Sequence, residues 1–264
     1  ILIAPPHNTW INYNPFFRAR VSDAGGDDVR AKFGVDGYGE FWGGWVASGN
    51  ISESSAQAIA DGTYNWRALT QDEHGGTGPW SGYWTLRKDT IDPTVTSFTV
   101  DGHTSDFTVI NDASFTINWT VSDSGGSNLS QVEVWRKTDG GAWAKVHTEG
   151  ASGSSSSGSW ANSVSCGHTY QYGFHVFDGA GNMGLEPSTI TATNDCCTSH
   201  AYYQCYNDDV YWYDSCDNRE ELKQNCQATC FPGVLGNGCE SGTYQCPAGS
   251  DICIGLQPCS PPQY

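Results

Sequence analysis

Basic residues are scarce in this chain. Twelve Lys and Arg stand against 29 Asp and Glu in 264 residues, a formal net charge of −17. The deficit runs throughout: −4 over residues 1–92 (7 basic against 11 acidic), −6 over 93–194 (3 against 9) and −7 over 195–264 (2 against 9). No segment offers the basic face that a phosphate backbone requires, so nucleic acid is excluded as a partner. An anionic bilayer surface is excluded on the same ground. No apolar run is long enough to span a bilayer, which argues against membrane insertion. A sustained helical period is missing as well. Position 1 is Ile rather than Met and no secretory leader is visible, so we read a processed or excised chain. Cysteine is absent from the first 165 residues.

An internal repeat of about one hundred residues is present. Val21-Ser22-Asp23-Ala24-Gly25-Gly26 returns as Val121-Ser122-Asp123-Ser124-Gly125-Gly126. Downstream, Gly62-Thr63-Tyr64-Asn65-Trp66 and His168-Thr169-Tyr170-Gln171-Tyr172 are each followed by an aspartate eight residues after the first tyrosine, Asp72 and Asp178. Three segments result: 1–92, 93–194 and a cysteine-dense tail, 195–264. Pro93 biases Asp92 to an extended conformation and marks the short boundary between the repeats.

Within each repeat, apolar residues alternate with polar ones. Phe17, Ala19 and Val21, then Val29, Ala31 and Phe33, flank a Gly/Asp turn; Phe115, Ile117, Trp119 and Val121 do the same in the second copy. Tyr170, Tyr172, Phe174 and Val176 form the longest inward row. Short strands at regular spacing predict an all-β chain with two tandem antiparallel β-sandwiches. Ser52–Ala60 has the composition of one or two helical turns. The Ser-rich stretch from Gly150 to Trp160 reads as a flexible loop.

The VSDxGG turn, the Gly-Thr-Tyr-x-Trp row and the Asp-Gly-Ala-Gly-Asn turn at 178–182 resemble fibronectin type III and immunoglobulin-like repeats of bacterial secreted and surface proteins, over about residues 5–194. Tyr64 and Tyr170 match the tyrosine-corner position of such sandwiches, and Trp80-Ser81 resembles the Trp-Ser near their last strand. The resemblance implies a fold and says little of function, since this sandwich hosts many.

In that fold the loops after the second and sixth strands lie at the end where the chain comes in. Asp123 and Asp178 occupy those loops of the second repeat, and Asp89 and Asp92 the linker leading into it. Four carboxylates are therefore expected to converge, with Asn128 and Asn182 nearby, as oxygen ligands for calcium. The plainer alternative is that Asp suits turns because it accepts backbone hydrogen bonds. The matching set in the first repeat is Asp23, Asp27, Asp28, Asp72 and Glu73.

Ten of the eleven cysteines crowd the tail, at Cys196, Cys197, Cys205, Cys216, Cys226, Cys230, Cys239, Cys246, Cys253 and Cys259. An oxidising, extracellular or cell-surface location follows, with the tail a disulfide-stapled module. Cys166 makes the count odd. It reads first as a buried free thiol, and otherwise as a partner of Cys196 or Cys197. Asp217-Asn218-Arg219-Glu220 reads as a capping box opening a short helix to about Cys226. Tyr211, Trp212, Tyr213 and Asp214 read as a sugar-binding platform, as a protein–protein contact, or as the little packing such a module has.

Catalytic signatures are absent: the seven histidines show no metal-pair spacing, no nucleophile elbow occurs, and a tandem sandwich offers no deep cleft for paired carboxylates. The expectation is a non-enzymatic extracellular structural or adhesive protein with a protein partner or self-assembly. One form of it is a filament subunit that pairs through Ile1, Leu2 and Ile3. The alternative is a carbohydrate-binding accessory region of a secreted enzyme, with polysaccharide as ligand.

Overall fold

The computed structural model describes residues 1–206 and 209–224. They form two sandwiches and a small third sheet, with no helix among them. The first sandwich contains β1 (Leu2–Ala4), β2 (Trp10–Ile11), β3 (Arg18–Arg20), β4 (Val29–Val35), β5 (Gly39–Trp42), β6 (Ile51–Glu53), β7 (Gly62–Asp72) and β8 (Trp84–Lys88). One sheet runs β1-β3-β6 and the other β2-β8-β7-β4-β5. All pairings are antiparallel except β2 with β8, where Trp10 and Ile11 lie in parallel beside Arg87 and Lys88. The alternation of β4 buries Val29, Ala31 and Phe33. Phe17 meets Trp66 edge-on at 5.0 Å and Phe41 at 5.1 Å, so rings fill the space between the sheets.

The second sandwich repeats the plan with β9 (Thr94–Val100), β10 (Phe107–Ile110), β11 (Ser114–Ser122), β12 (Leu129–Thr138), β13 (Ala144–Gly150), β14 (Ser155–Ser163), β15 (His168–Asp178) and β16 (Ile190–Asp195). Its sheets are β14-β11-β9 and β10-β16-β15-β12-β13. Phe115, Ile117, Val121, Val134, Tyr172, Phe174 and Val176 are buried between them, as the sequence periods require. The tail contributes β17 (Tyr202–Tyr206), β18 (Asp209–Tyr213) and β19 (Arg219–Gln224), an antiparallel sheet in that order.

The chain divides into two compact units. One comprises Ile1–Phe107, Ser114–Ser163 and Thr169–Ala192, and so holds the linker between the sandwiches. The other comprises Thr108–Ala113, Val164–His168 and the described residues from Thr193 onward.

Several expectations are corrected. The helix from Asp217 is a strand, β19, paired with β18. Asp217 sits at φ 66°, which a helix cap does not adopt, and the Glu220 carboxylate accepts from Ser199 and the His200 amide instead of reaching back to Asp217. Ser52–Ala60 is not helical. Ser52 and Ser54 turn their hydroxyls to the amides of Ala31 and Phe17, an alternative to helical pairing. The Ser-rich stretch is not a free loop: β14 pairs with β11 along its whole length, and Gly158 lies opposite Trp119. A Cβ at 158 would come within 2.3 Å of that indole, so the ring covers the strand only because 158 is glycine. Cys166 is no free thiol. It is bonded to Cys196, and Cys197 to Cys216. The side chain of Cys205, and Cys226, Cys230, Cys239, Cys246, Cys253 and Cys259, lie outside what is described.

Candidate functional site

Three of the four expected junction carboxylates come together. Asp89, Asp123 and Asp178 offer oxygens that all lie within 4.8 Å of one another, and the residues are 0%, 4% and 2% exposed. Asp89 follows β8 in the linker, Asp123 follows β11, and Asp178 ends β15. Asp92, the fourth, is exposed and stands outside the group.

Backbone amides fix each carboxylate. Asp89 accepts from Ile91 at 3.1 Å and from Ser127 at 2.8 Å. Asp123 Oδ1 accepts from Gly125 at 2.8 Å. Asp178 Oδ1 takes the amides of Ala180 and Asn182, and its Oδ2 takes Asn182 Nδ2 at 2.6 Å. The same Nδ2 reaches the Asp89 carbonyl at 3.0 Å, so Asn182 ties linker to loop as a donor. Asn128, the other expected oxygen source, stands at φ 61° and uses its carbonyl for the Gly179 amide.

Two buried oxygens of this cluster have no hydrogen-bond partner among the described residues: Asp123 Oδ2 and Ser127 Oγ. Gly125 makes room for the packing, since a Cβ there would fall 2.3–2.6 Å from the Asp89 carboxylate. Among the described residues no Lys, Arg or His pairs with any of the three acids. Lys88, next in sequence to Asp89, turns away. Its Nζ donates to the Ile59 carbonyl at 2.7 Å and Asn14 Oδ1 at 3.1 Å, with Asp61 at 3.7 Å. Like charges at this spacing repel by about 3–4 kcal/mol per pair at an effective dielectric constant of ~20. The amide donors offset part of that and leave the Asp123 Oδ2 side without compensation.

The first repeat places its acids differently. Asp23 Oδ2 accepts from Gly25, Asp72 Oδ1 from His74 and Gly76, and the Asp28 carbonyl from the Glu73 amide. Asp27, Glu73 and His74 approach one another at the surface, with Asp27 and His74 3.4 Å apart. Asp23 and Asp72 occupy the counterpart positions of Asp123 and Asp178 but do not belong to that group. The repeat alone does not build the buried cluster; Asp89 completes it.

Sequence reasoning missed a hairpin loop that recurs three times. Asp72, Asp178 and Asp214 each accept the amides two and four residues ahead on Oδ1. The residue three ahead has positive φ each time: Gly75, Gly181 and Asp217. The Asn at the fourth place returns its Nδ2 to the carboxylate in two of them, Asn182 to Asp178 and Asn218 to Asp214. The Asn218 bonds hold the Asp214 carboxyl below its usual range. The legible signal is Asp-x-x-x-Asn at 178–182 and 214–218.

The tail rings pack on their neighbours. Tyr213 is buried and stacks on Tyr202 at 5.4 Å, while Trp212 lies 5.0 Å from the His200 ring and edge-on to Tyr203. Lys223 Nζ sits over both Tyr203 and Trp212, and Arg219 over Tyr211. Tyr211 and Tyr213 alternate with Trp212 along β18, so the three rings do not share a face. Asp214 is committed to its loop. Cys197 and Cys216 also lie close to Asp214, but their sulfurs are joined to each other and are no metal ligands.

No protein-family model matches the chain, and no curated protein matches its sequence. Solved structures that resemble it include the fibronectin(III)-like modules of Clostridium thermocellum CbhA, at 12% identity and TM-score 0.46 over 74% of this chain and 94% of that one. The FN1-FN3 domains of chicken CNTN1 match at 13% identity and TM-score 0.41, over 72% of this chain and 66% of that one. The human OSCAR ligand-binding domain matches at 16% identity and TM-score 0.30, over 71% and 95%. The all-β sandwich class itself follows from the strand pairings.

Proposed function

We propose that this chain is a non-enzymatic structural or adhesive segment of an extracellular protein, whose two sandwiches act as a stiff spacer. The state of the linker supports this most directly. The Asp89 amide donates to Ile11, Thr90 donates through both its amide and hydroxyl to Asp61, and Asn182 Nδ2 holds the Asp89 carbonyl. A linker bonded residue by residue to the sandwiches on either side has little freedom to bend. The disulfides Cys166–Cys196 and Cys197–Cys216 fit an oxidising compartment. NMR relaxation on the whole oxidised chain, read from the amides of the two sandwiches, tests the spacer reading. A single correlation time for both sandwiches is the expected result; separate, faster tumbling of each would overturn it.

The filament form of this function draws on β1, which lies at the margin of its sheet with Ile1 86% and Ile3 37% exposed while Leu2 faces its own core. Exposed sheet margins pair readily with a strand from another copy. Ile1→Lys with Ile3→Lys spares Leu2, and light scattering then reads assembly. Particles that persist in the double variant would count against strand pairing. The polysaccharide reading draws on Trp212, half-buried beside Tyr203 and His200. Retention on polysaccharide columns, lost in Trp212→Ala, would support it, and no retention on a broad glycan panel would remove it.

A further inference from the structure

We propose that Asp89, Asp123 and Asp178, with Ser127 Oγ, form a calcium site that closes the linker onto the second sandwich. Three buried carboxylates converge with no basic residue among the described residues to balance them. Turn-forming acids need no such convergence, and the first repeat shows what turn formation alone gives: Asp23 and Asp72 hold their loops and belong to no such group of three among the described residues. The second observation is independent of the charge. Asp123 is 96% buried (4% exposed), and among the described residues its Oδ2 has no hydrogen-bond partner, nor has the neighbouring Ser127 Oγ. Ser127 belongs to the cluster through its amide, which Asp89 accepts at 2.8 Å. A buried carboxylate oxygen without a donor is costly, and a cation satisfies such an acceptor-only group while also taking a lone pair of the serine hydroxyl.

The donor set selects the ion. Every candidate ligand is oxygen, with no His or Cys in the group, which favours a hard cation over zinc or copper. Ligands from three separate loops give irregular geometry, which calcium accepts and magnesium resists. Because Asp89 lies in the linker and the other two in the second sandwich, the ion would bind only when the linker is docked. Binding of the ion does not depend on the spacer reading, and the two fail separately: the titration below can succeed while the relaxation experiment fails.

The test is calorimetric titration of chelator-treated protein with calcium chloride, alongside thermal unfolding with calcium and with chelator. One bound calcium and a melting temperature several degrees higher are expected. Asp123→Asn should abolish both responses while melting higher than wild type in chelator, because it removes one repelling charge. Asp23→Asn, its counterpart in the first repeat, should leave them intact. Should Asp123→Asn fail to fold, Ser127→Ala serves instead, with calcium affinity reduced about tenfold, roughly the loss of one neutral ligand. Superimposable melting curves with calcium and chelator would overturn the proposal. So would stabilisation on mild acidification with no heat of calcium binding, which would mark a shared proton in place of an ion.

Discussion

Asp89 and Ser127 are 38 residues apart and joined by a 2.8 Å hydrogen bond from the Ser127 amide to the Asp89 carboxylate. The bond connects the linker to the first glycine turn of the second repeat. Replacing Asp89 with Ala strands that amide and the Ile91 amide in a partly buried place. A loss of about 2–3 kcal/mol is expected, at ~1–3 kcal/mol for an unsatisfied buried group. Urea unfolding of Asp89→Ala and Asp89→Asn reads it, with the isosteric Asn costing less.

Gly158 to Ala forces a methyl into the Trp119 indole, which faces it across β11 and β14. A destabilisation of about 1–3 kcal/mol is expected from overpacking. The double variant Gly158→Ala, Trp119→Leu should cost less than the two single changes together, and a double-mutant cycle checks the coupling.

The Cys166–Cys196 bridge spans 30 residues of sequence. Its removal as the paired serine variant should cost about 3–4 kcal/mol by the chain-entropy relation. Denaturant midpoints under oxidising conditions should be lower for the variant than for wild type, and the difference should vanish when both are reduced.

Two buried side chains contribute to the pH limits. Burial raises the Glu133 carboxyl, but hydrogen bonds from Lys145 and Trp135 and the charges of Lys145 and His175 outweigh it and hold it below the ordinary range. Its contribution is present above the unfolded value of about 4.3 and fades as pH falls through the lower folded value. Burial pushes the Tyr172 phenol up to about 12, against the hydrogen bond from Asn162. That contribution is complete below about pH 10 and is lost as pH rises toward 12. Glu133→Gln should flatten the acid limb of a stability–pH curve and Tyr172→Phe the alkaline limb.

The rows of alternating residues in β4, β11 and β15 were legible because one face of each strand is buried and the period of two is unbroken. The carboxylate cluster was legible in part: the repeat located Asp123 and Asp178, and chain direction located Asp89. Asp92 was indistinguishable from Asp89 by type and position, and only burial separates them. β14 was hidden because serine and glycine carry little strand preference; its pairing comes from β11 and from the Trp119 ring lying on Gly158. Asp217 and Glu220 have the spacing of a capping box, yet Asp214, three residues earlier, takes the Cys216 and Asn218 amides on its carboxylate and the Asp217 amide on its carbonyl, closing a hairpin loop. A local motif cannot show which of two overlapping motifs wins.

The parallel pairing of β2 with β8 bears on how the first sandwich carries tension. A pull that draws Trp10 and Ile11 toward the N-terminal side and Arg87 and Lys88 toward the C-terminal side slides two parallel strands lengthwise past each other. The flanking bonds, Asn8 to the Thr85 carbonyl and Asp89 to the Ile11 carbonyl, are strained together with them. Shear loads these contacts at once, where the antiparallel β1–β3 margin would open one bond at a time. Under a pull in that direction the two-residue β2–β8 pairing and its two flanking bonds therefore resist as one group.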